Sequence, residues 1–298
     1  MPVRRRSALV TGRPPVKVLL VAAVLAVPAC TAATAAPTVP GISTAGTVPG
    51  SPLTARGTTR PTSGGPVAVR GLCLDPTDST RAAFSEDVKA RVAELVEAWT
   101  PPDADPRDGS DAVPGLSLTV RVIDTASYST DAVALTVTVP PVPALASRPD
   151  LTADGVLAPG GPYDTWTRER ERAQAARAAA REAAASAARA LRALRLDHAT
   201  RSGISGCLSA LAQTLPPGDD RRIALASDLD ENTAVQVAGD FGKAPLLVVQ
   251  PCPDGDARRC TELLARAEGL LRALDTGPLT PVRPEAAGAA LRAWTAPR

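Results

Sequence analysis

One carboxylate and two hydroxyls occupy alternate positions in the segment Asp75-Pro76-Thr77-Asp78-Ser79. In an extended loop, side chains two positions apart point the same way, so the oxygens of Asp75, Thr77 and Ser79 can converge on one hard cation. Oxygen ligands with few formal charges suit Mg²⁺, which keeps several waters and an open coordination position. A carboxylate from a protein partner could complete that shell. The spacing therefore predicts a magnesium site.

The same segment also has a structural interpretation. Asp75 and Ser79 are residue types that commonly cap a helix or a turn, and a helix is predicted directly after them. The pattern by itself leaves both interpretations open.

The motif lies where a strand ends and a helix begins. Residues 67–74 form an apolar run typical of a strand, and apolar residues then recur at helical spacing from Phe84 to Trp99. Ligands usually bind at this edge of an open α/β sheet, beyond the carboxyl ends of the strands.

The remaining pattern completes an α/β fold. Residues 116–123 and 133–139 alternate as two strands of an antiparallel hairpin, and residues 223–226 and 246–249 are short apolar strands. A helix follows over 261–274. The alternation predicts an open, mostly parallel sheet with helices on both faces.

An additional helix is predicted as an insertion from about 163 to 196. This stretch contains no Pro or Gly, has twelve alanines between positions 173 and 190, and carries Arg or Glu at most other positions. At 1.5 Å per residue it would reach about 50 Å. Alanine propensity and solvated charges explain such a helix without a partner, although a narrow alanine stripe could also pack against a second helix.

In its order of elements, over residues 67–298, and in its Asp-x-Thr-x-Ser loop after the first strand, the chain resembles the von Willebrand factor type A (VWA) domain. The resemblance implies a metal-ion-dependent adhesion site that binds a protein through Mg²⁺. It also implies a hydroxyl ligand from Ser202, before a middle helix, and a carboxylate ligand from Asp228, after the fourth strand.

Three positions depart from the family pattern. Thr77 replaces the usual serine and Ser202 replaces the threonine, so both hydroxyls survive. Leu229 follows Asp228 where the family commonly has glycine. The neighbouring acids Asp230 and Glu231 could stand in for Asp228, but we interpret them as solvated.

The amino-terminal region resembles a bacterial lipoprotein signal over residues 1–29, followed by a tether over residues 30–66. An apolar run at 18–27 precedes Val27-Pro28-Ala29-Cys30, which is similar to a lipobox whose cysteine is acylated, for example with palmitate. An ordinary secretory signal cleaved near the small residues at 33–36 remains an alternative. The basic residues of the leader are Arg4, Arg5, Arg6, Arg13 and Lys17.

Export would expose the cysteines to an oxidising compartment. Cys252 and Cys260 flank a turn-rich loop, and we expect them to be bridged. Cys73 and Cys207 fit either a second bridge or two buried thiols. Removal of the five basic leader residues changes the formal net charge from +2 to −3, which argues against a nucleic-acid partner.

The sequence thus predicts a lipid-anchored protein on the extracytoplasmic face of the cell membrane. It would bind an extracytoplasmic protein, possessing no catalytic activity of its own. A metal-free α/β scaffold that docks a partner through the long helix is the alternative. A divergent hydrolase using Ser205 and His198 is a weaker hypothesis, because the surrounding residues lack the Gly-x-Ser-x-Gly elbow.

Overall fold

The computed structural model describes residues 65–297 apart from positions 78, 81, 101–108, 130–131, 133, 154, 236 and 253–255. The predicted signal at 1–29, the lipid-bearing Cys30 and nearly all of the tether lie outside the described residues. The elements in chain order are β1 (Val67–Leu74), α1 (Ala82–Glu97), β2 (Gly115–Val122), β3 (Ala134–Val139), α2 (Pro162–Ala193), α3 (Ile204–Thr214), β4 (Arg221–Ala226), β5 (Leu246–Val249), α4 (Ala257–Ala273), β6 (Leu279–Val282) and α5 (Ala287–Thr295).

The six strands form one sheet in the order β3-β2-β1-β4-β5-β6. Every neighbouring pair is parallel except β2 with β3, which is antiparallel. The predicted open, mostly parallel α/β sheet is therefore confirmed, including its hairpin. The sequence analysis does not predict β6 or α5.

Helices cover both faces of the sheet, so the central strands are apolar on both sides. In β1, Leu72 and Leu74 face a core formed with α1, α2 and α5. Val69 and Cys73 face the opposite core, formed with α3 and α4. The alternating side chains of one strand therefore join two separate cores.

The long helix α2 begins at Pro162 and ends at Ala193, close to its predicted bounds. Pro suits this position because the first turn of a helix has no partner for its N–H groups. Ala180, Ala184 and Ala188 are completely buried and belong to the core that contains α1. The alanine stripe thus packs against other elements, and a helix explained by solvation alone is the wrong interpretation for this face.

A buried arginine fastens the last helix to the sheet. Arg70 of β1 is fully buried and forms an ion pair with Asp220 at 2.9 Å. Its guanidinium also donates to the carbonyls of Thr295 (3.3 Å) and Ala296 (2.9 Å), at the end of α5. A cation stabilises this end of a helix because the last carbonyls lack helical partners.

Two disulfides are present. Cys252 pairs with Cys260, as expected. Cys73 pairs with Cys207, which decides between the two alternatives for these cysteines and ties β1 to α3.

Among the described residues, no helix combines the length and apolar character needed to cross a membrane.

The two disulfides should differ in their contribution to stability. Cys73 and Cys207 are 134 positions apart, whereas Cys252 and Cys260 are 8 apart. Replacing the first pair with alanine should lower the free energy of unfolding by about 4–5 kcal/mol, and the second by about 2–3 kcal/mol, because a longer loop loses more chain entropy on closure. Urea titration followed by circular dichroism measures both losses. Equal losses would contradict the prediction.

Candidate metal centre

The carboxylate of Asp75 lies at the carboxyl end of β1, where its own backbone N–H donates to the carbonyl of Ala226 at 3.0 Å. Asp75 is completely buried. Its Oδ1 accepts hydrogen bonds from the amide (3.2 Å) and the hydroxyl (2.7 Å) of Thr77. Its Oδ2 accepts from the hydroxyls of Ser202 at 2.8 Å and Ser227 at 2.7 Å. One carboxylate therefore joins three loops.

This position is where the helical connections of the sheet change face. β1 has β2 on one side and β4 on the other. Helix α1, which follows β1, packs on one face, and α3, which precedes β4, packs on the opposite face. The connections leave a crevice at such a point, and ligands of open α/β sheets bind there.

The second carboxylate is that of Asp228, directly after β4, and only 8% of the residue is exposed. Its Oδ1 accepts a hydrogen bond from the backbone of Asp230 at 3.1 Å. Burial raises the pKa of the Asp228 carboxyl above its ordinary value. Hydrogen bonds from Asp230 and the Ser79 hydroxyl oppose that rise, and the negative charge of Asp75 adds to it.

All five residues named in the sequence analysis come together at this edge of the sheet. The Thr77 hydroxyl lies 2.7 Å from Asp75 Oδ1 and 3.3 Å from the Ser79 hydroxyl. Ser79 is close enough to Asp228 for its hydroxyl to lower the pKa of that carboxyl, and the Ser202 hydroxyl donates to the other oxygen of Asp75. We call this connected group the oxygen cluster, and its members are Asp75, Thr77, Ser79, Ser202 and Asp228.

Two more hydroxyl residues adjoin the oxygen cluster and are missed by the sequence analysis. Ser227 donates to Asp75, and Thr80 accepts a hydrogen bond from the backbone N–H of Asp228 at 3.4 Å. Both are completely buried. The sequence could have indicated both residues, because Ser227 directly precedes the predicted ligand Asp228 and Thr80 directly follows the predicted ligand Ser79.

Ser202 is held in place by a reciprocal pair of hydrogen bonds with Asn232. The N–H of Ser202 donates to the side-chain oxygen of Asn232 at 2.6 Å, and the N–H of Asn232 donates to the carbonyl of Ser202 at 3.2 Å. The loop after β4 therefore positions the hydroxyl that precedes α3.

The two acids after Asp228 differ, and the interpretation as a simply solvated acid is wrong for Glu231. Glu231 accepts from the backbone N–H of Ser205 and from the hydroxyl of Thr233, each at 2.6 Å. Because Ser205 lies in the first turn of α3, this carboxylate satisfies a helix N–H that has no helical partner. Asp230 forms an ion pair with Arg259 at 2.9 Å.

The buried side-chain amide of Gln250 holds the loop that contains Asp228. Gln250 follows β5, and its side-chain nitrogen donates to the carbonyls of Asp228 and Cys260, each at 3.2 Å. The backbone at the second carboxylate is thereby connected to the first turn of α4, where the Cys252–Cys260 disulfide lies.

The oxygen cluster fits a hard divalent cation. It offers two carboxylates and three hydroxyls, the ligand type that Mg²⁺ prefers. Among the described residues, no Lys or Arg forms an ion pair with Asp75 or Asp228, so neither buried carboxylate is neutralised by direct contact with a basic side chain. The described residues contain no group of three His, Cys, Asp or Glu side chains suited to a metal. Hydroxyls would therefore have to complete the ligand set.

No known protein family matches the chain, and no curated protein matches it either. The functional argument therefore depends on the geometry of the site.

Removing the charge of Asp228 should stabilise the metal-free protein. In EDTA at pH 7, Asp228→Asn should unfold at a higher urea concentration than the wild type, because burial and the charge of Asp75 disfavour the ionised form. Asp230→Asn is the matched control and should change the free energy of unfolding by less than about 1 kcal/mol, since its ion pair is partly exposed. A lower urea midpoint for Asp228→Asn than for the wild type would show that the buried charge of Asp228 does not destabilise the metal-free protein.

Proposed function

We propose that the domain is a protein-binding module whose recognition site depends on Mg²⁺ held by the oxygen cluster. The observation that carries this proposal is the convergence of two buried carboxylates and three hydroxyls at the switch point of the sheet. Residues from three separate loops supply these oxygens, and neither carboxylate forms an ion pair among the described residues.

In this proposal the charged and the neutral residues have different roles in binding the cation. Asp75 and Asp228 supply the two negative charges that hold the cation, and Thr77, Ser79 and Ser202 supply neutral oxygens. A bound Mg²⁺ supplies an open coordination position for a carboxylate oxygen of the partner. Two carboxylates balance the charge of Mg²⁺, so a third carboxylate from the partner is attracted without strong repulsion.

We further propose that the domain is of the VWA type. Three observations support this assignment: the antiparallel hairpin at the edge of a parallel sheet, the Asp-x-Thr-x-Ser loop after β1, and the contributions of Ser202 before α3 and Asp228 after β4. The two hydroxyl replacements keep the same donor atoms, which is why they are compatible with the assignment.

The proposed setting is the outer face of the cell membrane. The leader and the lipobox-like Val27-Pro28-Ala29-Cys30 support an acylated anchor at Cys30. The two disulfides support export, because such bonds persist in oxidising compartments. The polar tether over residues 30–66 would separate the domain from the lipid surface.

Two observations favour this proposal over the alternatives. The alanine stripe of α2 is covered within the domain, so it does not present a free docking face. Ser205 is completely buried whereas His198 is exposed, which is a poor arrangement for a serine nucleophile and its base.

The metal proposal predicts a thermal shift. At saturating Mg²⁺ the wild-type midpoint should rise by about 5–10 °C over the value in EDTA, because a ligand that binds only the folded state stabilises it. Asp75→Asn should abolish this response, and Asp87→Asn, on the exposed surface of α1, should retain it. Differential scanning calorimetry measures the shift. Identical wild-type midpoints in Mg²⁺ and EDTA would refute the metal site.

The anchor proposal predicts a change in partitioning. The wild-type chain should enter the detergent phase of a Triton X-114 extraction, whereas Cys30→Ser should remain in the aqueous phase because the acylated thiol is lost. Thr31→Ser is the matched control and should behave like the wild type. Detergent partitioning that persists in Cys30→Ser would contradict acylation at this residue.

A further inference from the structure

A cleft with a volume of about 400 Å³ lies beside the oxygen cluster. One wall is the segment 125–129, between β2 and β3, and the other is formed by Thr233 and Ala234. Arg201, Gly203 and Gly206 also contribute to its lining. The volume falls within the range of about 300–1,000 Å³ that is typical of ligand pockets.

The two glycines allow the first wall to approach α3 closely. A Cβ atom at Gly203 would lie 2.6 Å from the carbonyl oxygen of Asp124, and one at Gly206 would lie 3.1 Å from the backbone nitrogen of Tyr128. The Tyr128 hydroxyl accepts a hydrogen bond from Gln213, near the end of α3, at 2.9 Å. The tyrosine is therefore fixed against α3 beside the cleft.

The first wall carries an exposed aromatic side chain, and two exposed valines follow the second wall in the sequence. Tyr128 is 42% exposed, Val235 is 63% exposed and Val237 is 45% exposed. These are three of the six large apolar residues that are exposed in the described part of the chain. The backbone N–H of Ala238 donates to the hydroxyl of Ser209 at 3.1 Å, which holds the segment after the second wall against α3. The apolar part of the lining is therefore the ring of Tyr128 together with the small side chains of Ala126 and Ala234.

The cleft and the oxygen cluster share the same backbone. Arg201 and Gly203 flank Ser202, whose hydroxyl bonds to Asp75. Thr233 follows Asn232, which holds Ser202 from the other side. A molecule that reaches the oxygen cluster therefore passes next to the cleft. The exposed guanidinium of Arg201 adds a positive charge at their junction, which complements an acidic ligand.

We propose that the cleft receives a large apolar side chain from the same partner segment whose carboxylate binds at the oxygen cluster. The partner is then a peptide segment in which an Asp or Glu lies close in sequence to a large apolar residue. The carboxylate provides the dependence on Mg²⁺, and burial of the apolar side chain provides selectivity among acidic segments. This inference rests on the proposed Mg²⁺-dependent function.

The test selects peptides without assuming a natural partner. A phage library of random heptapeptides is panned on the full chain in Mg²⁺, and bound phage are eluted with EDTA. Selected peptides should combine an acidic residue with a large apolar residue at a constant spacing.

A selected peptide is then measured by fluorescence anisotropy against two tryptophan variants. Ala126→Trp fills part of the cleft from its exposed wall, and Ala175→Trp makes the same change on the exposed surface of α2. Affinity should fall about tenfold or more for Ala126→Trp, and for a peptide whose apolar residue is replaced by glycine. It should be unchanged for Ala175→Trp.

The outcomes separate the two proposals. Peptides that need Mg²⁺ and an acidic residue, but show no apolar preference or bind Ala126→Trp normally, overturn the cleft while leaving the metal site intact. If EDTA releases no bound peptide, the Mg²⁺-dependent function is refuted. The inference about the cleft is then refuted as well, because it rests on that function.

Discussion

The buried carboxylate of Asp75 is the constraint on which the loops at the carboxyl ends of β1 and β4 depend. A charged group without water is costly unless hydrogen bonds compensate it, and here four donors do so. Those donors come from the loop after β1, the loop before α3 and the residue after β4. The three loops consequently share one conformation. A change in any of them leaves part of a buried charge without a partner, which explains why the surrounding positions are hydroxyl residues.

The covalent framework reinforces the same geometry. Cys73 precedes Asp75 by two positions and Cys207 follows Ser202 by five, so their disulfide joins the two segments that bring these side chains together. Asn232 and Gln250 hold the third segment through backbone carbonyls and amides. At the opposite end of β1, Arg70 secures the last helix. A site held in this way loses little conformational entropy when it binds a ligand, which favours recognition through few contacts.

The proposed export and the proposed binding site are physically consistent with each other. An oxidising compartment preserves the disulfide that supports the oxygen cluster. An acylated anchor at Cys30 would keep a binding domain near the membrane. The exposed ring of Tyr128, which lines the cleft, belongs to the surface that the proposed partner would cover.

What could be predicted from the sequence was local. The apolar run at 67–74 and the alanine content of 163–196 located a strand and a long helix, and the Asp75-x-Thr77-x-Ser79 spacing located a loop whose oxygens converge. The parallel sheet was also predictable, because short apolar strands alternate with helices. The tertiary structure was needed to pair Cys73 with Cys207 and to show that one face of α2 is buried. It was also needed to show that Ser227 donates to Asp75 and that Glu231 accepts from the first turn of α3. The physical reason is distance along the chain: the bonds from Ser202 and Ser227 to Asp75 span 127 and 152 positions, and the order of strands in the sheet decides such contacts.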